Sequence, residues 1–471
     1  MNPLSKLWSL AESQPDSLVL VSPSVQMNYR DLADNVSRFA GALRKAGVSK
    51  GSVVAIRLQP ELEAVLILSV TQLGAVSLSA SKLILDSYTE HIDFLVTGEA
   101  TGLSKVKSRI IIDQDFMQRL GSVSRITEPE PLEPDDLVRL TFSSGTTGIP
   151  KGIPFTADRL LRRTKSAHQN WMQITPSMSL LGLDTITGII SLFWSVATGA
   201  TYFVSRSAKE NFDLFGKFNI KSIETSPARL KDLLEVADGS PSSGLQQVLV
   251  AGSLMTEAQA EDCERILGIT PSYLYGSSEV GAATVGTFDN KANNRLGKLV
   301  TDVEFEIVDE KLEPVAIGQH GHIRYRKPGM PAEYWKSAST YLNGFVDGWF
   351  YPGDQGWLNE DGYLFLSGRS DDVVNAAGSK FNLLSLDLWL AESNLFDEVA
   401  TFSYSSQDEN RIGLAFVSKR PPDPEILVEK LQGFLPNLQL GEILRLSSLP
   451  RNKMDKVDRK ALAELAEESN A

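Results

Sequence analysis

Residues 137–152, LVRLTFSSGTTGIPKG, decide the expected fold and the first functional hypothesis. Residues 137–142 are mostly apolar and β-prone, which is typical of a buried strand. A polar, glycine-rich stretch follows, and Pro150-Lys151-Gly152 ends it. Glycines let backbone N–H groups turn inward, hydroxyls add donors and Lys151 adds a positive charge, so the loop suits a polyphosphate. It is not a Walker A loop, because no Gly-Lys-Ser/Thr follows at the required spacing. A flexible Ser/Thr/Gly surface loop is the alternative.

Short apolar strands alternate with helical patterns on both sides of this segment. Residues 28–82 read as helix, strand and helix, with the first helix ending at Gly47, and the alternation continues to about residue 251. This pattern predicts an α/β fold with mostly parallel sheets and helices on their faces. From about residue 295 the chain consists of strand-like pieces separated by turns. A Gly, Ser and Asp cluster at 367–380 predicts a boundary between a large multi-lobed domain, 1–369, and a small α+β domain, 370–471.

Composition excludes several classes of protein. The 471 residues include 46 basic and 59 acidic side chains, a net charge of −13, which gives no general attraction to nucleic acid or anionic membranes. The single cysteine, Cys263, rules out an intrachain disulfide and a Cys-based zinc cluster. The N-terminus lacks a signal-peptide pattern and no apolar run approaches 18 residues, so we expect a cytoplasmic protein with no membrane partner.

The glycine-rich loop resembles the signature of the acyl-adenylate-forming (AMP-binding) superfamily. This superfamily includes acyl-CoA synthetases, nonribosomal adenylation domains and firefly-type luciferases, and its loop reads Ser/Thr-Ser/Thr-Gly-Thr-Thr-Gly-x-Pro-Lys-Gly. Every position is met here, and four further motifs follow in the family's order. The resemblance implies that the loop residues that bind ATP are Ser143, Ser144, Gly145, Thr146, Thr147, Gly148 and Lys151.

The second motif is YGSSE at residues 275–279, similar to the family's Tyr-Gly-x-Thr-Glu. The resemblance implies that the hydroxyl of Ser278 contacts the α-phosphate and that Glu279 holds Mg²⁺, for which a carboxylate is a suitable hard donor. The motif adds Tyr275, Gly276 and Ser277 to the expected ATP site. The third, weaker motif, Ala251-Gly252-Ser253, follows a strand and resembles the family's Gly-Gly-Ala-type segment, which implies that Gly252 and Ser253 lie beside the adenine and the acyl group. A plain strand-to-helix turn explains it equally well.

The fourth motif, YPGDQGW followed by GRSDD, resembles the family's Thr-Gly-Asp and Gly-Arg-x-Asp segments. By that match Asp354 accepts hydrogen bonds from both ribose hydroxyls, Arg369 approaches the ribose and phosphate, and Asp371 is the hinge of a mobile small domain. Lys380 stands where many members carry Arg, so any phosphate contact there would be a point charge and its role stays open.

The fifth motif, LPRNKMDKVDR at residues 449–459, resembles the family's C-terminal segment and places Lys456 on the catalytic lysine. An ammonium there would neutralise the charge that builds as pyrophosphate leaves. Asp455 replaces the usual Gly, and Lys453 is the local competitor.

Two other features remain weak. His320 and His322 form an HxH pair, which we interpret as turn and strand residues and not as a metal site. Asp184 lies near the position where amino-acid-activating members keep an Asp for the substrate ammonium, but it is two residues out of register.

The resemblance implies a ligase that uses ATP and Mg²⁺. A small carboxylic acid would be converted to acyl-AMP with release of pyrophosphate, and the acyl group would pass to a thiol, most simply that of CoA. One alternative is loading of a separate carrier protein through its phosphopantetheine, because only nine residues follow Leu462 in this sequence. Another is a nucleotide-binding relic without turnover. Segments around 180–200, 225–230 and 251–253 and near Tyr275 would line the acyl pocket, and their composition favours an aromatic or modest aliphatic acid.

Overall fold

The computed structural model describes residues 2–98, 106–143, 150–237, 244–288, 295–336, 344–376, 379–391, 393, 395–406, 409–436, 438–451 and 457–469. Within these ranges the strands are β1 Leu18–Val21, β2 Gln26–Asn28, β3 Val53–Arg57, β4 Val76–Ser79, β5 Phe94–Thr97, β6 Ser108–Ile111, β7 Leu137–Ser143, β8 Lys151–Thr156, β9 Ser177–Ser179, β10 Tyr202–Phe203, β11 Ser222–Thr225, β12 Gln247–Ala251, β13 Ser272–Ser277, β14 Gly281–Thr287, β15 Arg295–Leu299, β16 Glu304–Val308, β17 Gly321–Arg326, β18 Gly344–Val346, β19 Trp349–Tyr351, β20 Asp354–Leu358, β21 Tyr363–Arg369, β22 Val373–Ala376, β23 Ser379–Asn382, β24 Glu398–Ser406, β25 Glu409–Val417 and β26 Ile443–Arg445.

The α-helices in the described ranges are α1 Ser5–Ser13, α2 Tyr29–Lys45, α3 Pro60–Gln72, α4 Lys82–Tyr88, α5 Gln114–Leu120, α6 Ala157–Asn170, α7 Ile186–Thr198, α8 Ala208–Phe218, α9 Pro227–Val236, α10 Glu257–Leu267, α11 Leu383–Ala391, α12 Pro424–Phe434 and α13 Arg459–Ser469. Many begin at a side-chain cap: Asn28 accepts the backbone N–H of Asp31 at the start of α2, which satisfies a donor that the helix cannot. Gly47, at φ +102°, lies just beyond the end of α2, as predicted.

Two large sheets form most of the molecule. In the first, β6, β5, β3, β4 and β7 are parallel neighbours in that order, and β8 is added antiparallel to β7. In the second, of twelve strands, β9, β11, β12 and β13 are parallel and the remaining strands pair antiparallel. Helices connect several of the parallel strands, such as α3 between β3 and β4 and α9 between β11 and β12. The predicted α/β class is therefore confirmed.

The C-terminal part of the chain has small sheets and cores of its own. The hairpin of β22 and β23 and the three-stranded sheet of β24, β25 and β26 lie here. Buried apolar side chains from α11, β25 and α12 form one core, and a second core joins β24 to α13. The predicted boundary after Arg369 remains a prediction. No helix in the described part of the chain is both long and apolar enough to cross a lipid bilayer.

Candidate active site

A cleft of about 1900 Å³ runs between the two large sheets and the C-terminal part of the chain. The first sheet contributes the carboxyl ends of β3, β4 and β7, and the second contributes those of β12 and β13. Ligands of open α/β sheets bind beyond the carboxyl ends of parallel strands. The cleft is therefore the place where this fold is expected to hold a substrate.

Three side chains predicted to bind the nucleotide meet on the wall formed by the second sheet. The Tyr275 hydroxyl donates to Asp354 Oδ2 at 2.6 Å, and Arg369 Nη1 donates to Asp354 Oδ1 at 3.1 Å. Asp354 and Arg369 are partners in the register of β20 and β21, so the hairpin itself sets this pair. We call Tyr275, Asp354 and Arg369 the Asp354 cluster.

The hydrogen bonds of the Asp354 cluster hold the Asp354 side chain in a defined orientation. Burial, followed by the charge of Asp354, raises the pKa of Tyr275 far above its ordinary value, so its hydroxyl stays protonated and remains a donor. The Asp354 side chain is 14% exposed. Each carboxylate oxygen has more than one acceptor site, which leaves room for the hydroxyls of a cis-diol beside the two existing bonds.

Gly252 and Ser253 lie directly after β12 and line the same cleft. Tyr273 donates to the carbonyl oxygen of Ser253 at 2.5 Å, which fixes the start of this turn. A Cβ at Gly252 would meet no atom within 4 Å. The turn therefore presents an open surface next to the Asp354 cluster, as a flat ring would require.

The predicted phosphate loop is flanked by β7 and β8, which pair so that Ser143 lies opposite Lys151. Ser143 lines the cleft. The loop residues Ser144, Gly145, Thr146, Thr147 and Gly148 lie outside the described residues, so their contact with phosphate stays a prediction.

Lys151 and Glu279, predicted from separate motifs, are connected through Tyr334. The Lys151 ammonium lies 5.0 Å from the centre of the Tyr334 ring, and the Tyr334 hydroxyl donates to Glu279 Oε1 at 3.0 Å. Glu279 is 6% exposed. Its residue type and the free acceptor capacity of its carboxylate fit a Mg²⁺ ion that is shared with phosphates.

Two arginines of α6 lie beneath Glu279, and the sequence analysis missed both. Arg159 donates to the carbonyl oxygen of Glu279 and stacks on Phe155, 4.3 Å from the ring centre. Burial lowers the pKa of Arg163 to about 10. A Cβ at Gly281 would lie 2.7 Å from the Arg163 guanidinium carbon, so only glycine fits there. Helical spacing makes these cations look like surface residues, and no motif marks them.

The family model described as AMP-binding enzyme matches residues 7–335, well over half of the chain. This chain belongs to the AMP-binding enzyme family. The family predicted from the five motifs is thereby confirmed.

Relatives of this AMP-binding enzyme include freestanding ligases and parts of much larger proteins. The 2-succinylbenzoate–CoA ligase of Listeria monocytogenes is 25% identical over 96% of this chain and 97% of that ligase. Tyrocidine synthase 3 of Brevibacillus parabrevis is 24% identical over 96% of this chain, but the chain spans only 7% of that protein. Among solved structures, ATP-bound MatB of Rhodopseudomonas palustris has a TM-score of 0.87 at 20% identity, with both chains fully covered. MenE of Bacillus subtilis with OSB-AMP has a TM-score of 0.84 at 21% identity, over 98% of this chain and 97% of that one.

The predicted catalytic lysine of this AMP-binding enzyme, Lys456, and its competitor Lys453 lie outside the described residues. The residues on either side of them are described: Arg451 and Val457 form an antiparallel bridge and both line the cleft. Arg459, from the same motif, pairs with Asp387 and with Asp372. The segment that carries Lys456 therefore starts and ends at the cleft.

The predicted hinge residue, Asp371, lies in a short 3₁₀ turn directly after β21. Arg369 Nη2 lies 3.5 Å from Asp371 Oδ2, so the Asp354 cluster is connected to this turn. Lys380 is paired in the backbone of β22 and β23 with Asn375, and its side chain lies outside the described part of the structure. Its role stays open.

The two histidines of the HxH pair have ordinary polar partners. His320 Nδ1 lies 2.9 Å from Ser367 Oγ, and His322 Nδ1 lies 3.2 Å from Ser370 Oγ. His322 also approaches the exposed Glu310 at 3.4 Å. These contacts match the interpretation of both as turn and strand residues.

Proposed function

We propose that this AMP-binding enzyme is an ATP-dependent acid–thiol ligase that forms AMP. The observation that carries the proposal is the meeting of separate motifs at one cleft. The Asp354 cluster, the Gly252 turn, Ser143 at the phosphate loop and the two ends of the Lys456 segment all line it. Lys151 and Glu279, from two of the same motifs, both contact Tyr334.

The proposed chemistry has two displacements. An oxygen of the substrate carboxylate attacks the α-phosphorus of ATP, the bond from that phosphorus to the bridging oxygen breaks, and pyrophosphate leaves. The products are acyl-AMP and pyrophosphate. In the second step the sulfur of a thiol, after losing its proton, attacks the acyl carbon, and the carbon–oxygen bond to AMP breaks. The original carboxylate oxygen therefore stays on AMP.

The charge of each predicted residue suits a role in this reaction. Asp354 accepts the ribose hydroxyls, and Arg369 holds that carboxylate in place and faces the phosphate. Lys456 neutralises charge as pyrophosphate departs. Mg²⁺, when bound to Glu279 and the phosphates, would supply further neutralisation.

CoA is the thiol that we favour. The match to 2-succinylbenzoate–CoA ligase extends over nearly the full length of that protein, whereas the matches to tyrocidine synthases 3, 2 and 1 cover 7%, 13% and 44% of those proteins. A separate carrier protein with a phosphopantetheine thiol is the second candidate. We further propose that residues 370–471 act as a unit that turns about Asp371 between the two steps.

The test is incubation of the protein with ATP, Mg²⁺ and a panel of carboxylic acids, with and without CoA. The ligase predicts acid-dependent pyrophosphate release, followed by AMP and acyl-CoA when CoA is present. Acyl-AMP that accumulates despite CoA, and disappears when a carrier protein is added, indicates the carrier-loading alternative. ATP binding without pyrophosphate release from any acid would identify a relic and overturn the proposal.

Replacing Lys456 by Ala tests the catalytic assignment within this function. Loss of the ammonium proposed to neutralise the departing pyrophosphate should lower acid-dependent pyrophosphate–ATP exchange by roughly 100- to 1000-fold, the usual effect of removing one transition-state donor. Lys453→Ala is the matched control and should retain most exchange. Normal exchange in Lys456→Ala together with loss in Lys453→Ala would transfer the role to Lys453.

A further inference from the structure

A second polar cluster lies on the opposite wall of the cleft, where the first sheet and α3 form the lining. Glu63 in the first turn of α3 and Ser79 at the end of β4 both line the cleft. Arg139 in β7 stands behind them and is 1% exposed. We call Glu63, Ser79 and Arg139 the Glu63 cluster. No motif in the sequence includes any of the three.

Hydrogen bonds through Ser79 hold the cluster together. Arg139 Nη2 donates to Ser79 Oγ at 2.6 Å, and Ser79 in turn donates to Glu63 Oε1. Arg139 Nη2 also donates to the carbonyl oxygen of Leu183 at 2.7 Å. Leu183 belongs to the segment after β9 that lines the cleft, so the same guanidinium connects the two walls.

The cluster retains polar atoms at a cost that packing alone does not explain. Arg139 Nε and Nη1 are buried with no hydrogen-bond partner among the described residues, and a buried donor without a partner destabilises the folded state. An apolar side chain would fill the middle of β7 without this penalty. Arg139 therefore serves to orient Ser79 and to balance the charge of Glu63.

The side of the cluster that faces the cleft is rich in hydrogen-bond acceptors. One oxygen of Glu63 accepts the hydrogen bond from the Ser79 hydroxyl. Burial raises the pKa of the Glu63 carboxyl, and the charge of Asp184 adds to this increase. Asp184 lines the cleft beside it, exposed and without an ion pair among the described residues. A carboxylate held in this way gains most from a donor that arrives with the substrate.

From this geometry, and on the basis of the proposed ligase function, we infer that Glu63 is a specificity-determining residue. It receives a hydrogen-bond donor, a hydroxyl or an amine, that the acid substrate carries away from its reacting carboxylate. Ser79 and Arg139 are positioning residues for Glu63. This adds a polar requirement to the aromatic or aliphatic acid that the sequence favours.

The charge of this wall disfavours a second carboxylate on the substrate. Two acidic side chains face the cleft here, and Arg139 is too deeply buried to be reached. Arg57, at the end of β3, also lines the cleft, and its Nη1 is buried with no hydrogen-bond partner among the described residues. The unfavourable charge therefore applies to a second carboxylate that lies beside Glu63 and Asp184. We therefore expect succinylbenzoate, the dicarboxylic acid in the name of a relative, to be disfavoured relative to acids that carry a hydroxyl or an amine beside Glu63.

The test measures kcat/KM for acid-dependent pyrophosphate release with pairs of acids matched in shape. Suitable pairs are benzoate against its 3- and 4-hydroxy and 4-amino derivatives, straight-chain acids with and without a terminal hydroxyl, and 2-succinylbenzoate as the dicarboxylic member. The wild-type protein should prefer at least one donor-bearing acid over its partner by about 10- to 100-fold, since hydrogen bonds to charged groups are the stronger ones. In Glu63→Leu this preference should fall to within about threefold, while the apolar acid keeps its rate; Glu63→Gln should lie between.

Glu61→Gln is the matched control, because Glu61 lies on the same helix but pairs with Arg206 outside the cleft. It should leave the ranking of acids unchanged, and thermal unfolding of all variants checks that they fold. An unchanged ranking in Glu63→Leu, a wild-type protein without any preference for a donor, or a preference for the dicarboxylic acid would each overturn the inference. Absence of pyrophosphate release with every acid would overturn the proposed function itself, which is a different result.

Discussion

The Asp354 cluster and the Glu63 cluster are two carboxylate-centred networks on facing walls of one cleft. In the first, hydroxyl, carboxylate and guanidinium contact each other directly, at 2.6 and 3.1 Å, and all three residues belong to recognisable motifs. In the second, the guanidinium reaches the carboxylate only through Ser79, and no motif includes its members. Residues that carry out the reaction shared by the family therefore lie in short sequence motifs. The residues proposed to select the substrate are far apart in the sequence and come together only in the fold.

Asp354→Ala should separate the two networks most strongly. Loss of the carboxylate removes the acceptor for the ribose hydroxyls and leaves Arg369 without its partner, so kcat/KM for ATP should fall by roughly 100- to 1000-fold. The loss should be the same for every acid, in contrast to changes at Glu63. Pyrophosphate release with two different acids measures it, and the exposed Asp361→Ala is the control. A loss that depends on the acid would contradict the assignment of this wall to the nucleotide.

Much of the Asp354 cluster was predictable because its chemistry needs fixed residue types at short spacing. The α/β alternation and the end of α2 at Gly47 were equally visible, since periodicity and caps are local properties. Arg159, Arg163 and Tyr334 were not, because their burial depends on contacts between distant elements. Arg139 did give a signal, as a charged residue within an apolar strand, but its partners Glu63 and Ser79 come from other elements.

Glu224 is another buried acidic residue, which does not line the cleft, and it tests whether burial of an acid alone affects substrate choice. Burial raises its pKa from 4.5 to about 7, and Oε1 has no hydrogen-bond partner among the described residues. The pKa of Glu224 is higher in the folded state than in the unfolded state. The contribution of its protonated form to the free energy of unfolding is therefore fully present below about pH 4.5 and is lost as the pH rises through about 7.

Glu224→Gln should remove this pH dependence. At about pH 8 the variant should be more stable than the wild-type protein by roughly 3 kcal/mol, since a tenfold change in proton affinity corresponds to about 1.4 kcal/mol. Near pH 4.5 the two should be alike, and the ranking of acids should not change. Urea unfolding at both pH values measures the free energy of unfolding, with the exposed Glu264→Gln as control. If the free energy of unfolding changed with pH in the same way in the wild-type protein and in Glu224→Gln, the raised pKa of Glu224 would be contradicted.

Glu398 connects the wall of the second sheet to the C-terminal part of the chain. Replacing it should lower activity less than replacing Asp354. Its two oxygens accept from Lys231 of α9 at 2.6 Å and from Arg451 at 2.8 Å. Arg451 directly precedes the segment with Lys456. Glu398→Gln should therefore slow pyrophosphate exchange about tenfold, and by the same factor for all acids.

Lys231→Met removes only the contact with α9 and should reproduce most of that loss, because the pair of Glu398 with Arg451 stays within the C-terminal part. Arg30→Gln, from an exposed pair with Asp16 outside the cleft, should have no effect. An acid-dependent response to Glu398→Gln would mean that this ion pair acts on the acyl wall and not on Lys456.

In the proposed reaction, the acid on one wall attacks the α-phosphorus of the nucleotide on the other. The most direct test of this attack uses an acid that supports pyrophosphate release, labelled with ¹⁸O in both carboxylate oxygens, and mass analysis of the phosphate-containing products after one round of thioester formation with CoA. We predict one ¹⁸O atom in AMP and none in pyrophosphate. Label in inorganic phosphate together with ADP, or AMP without label, would contradict the account.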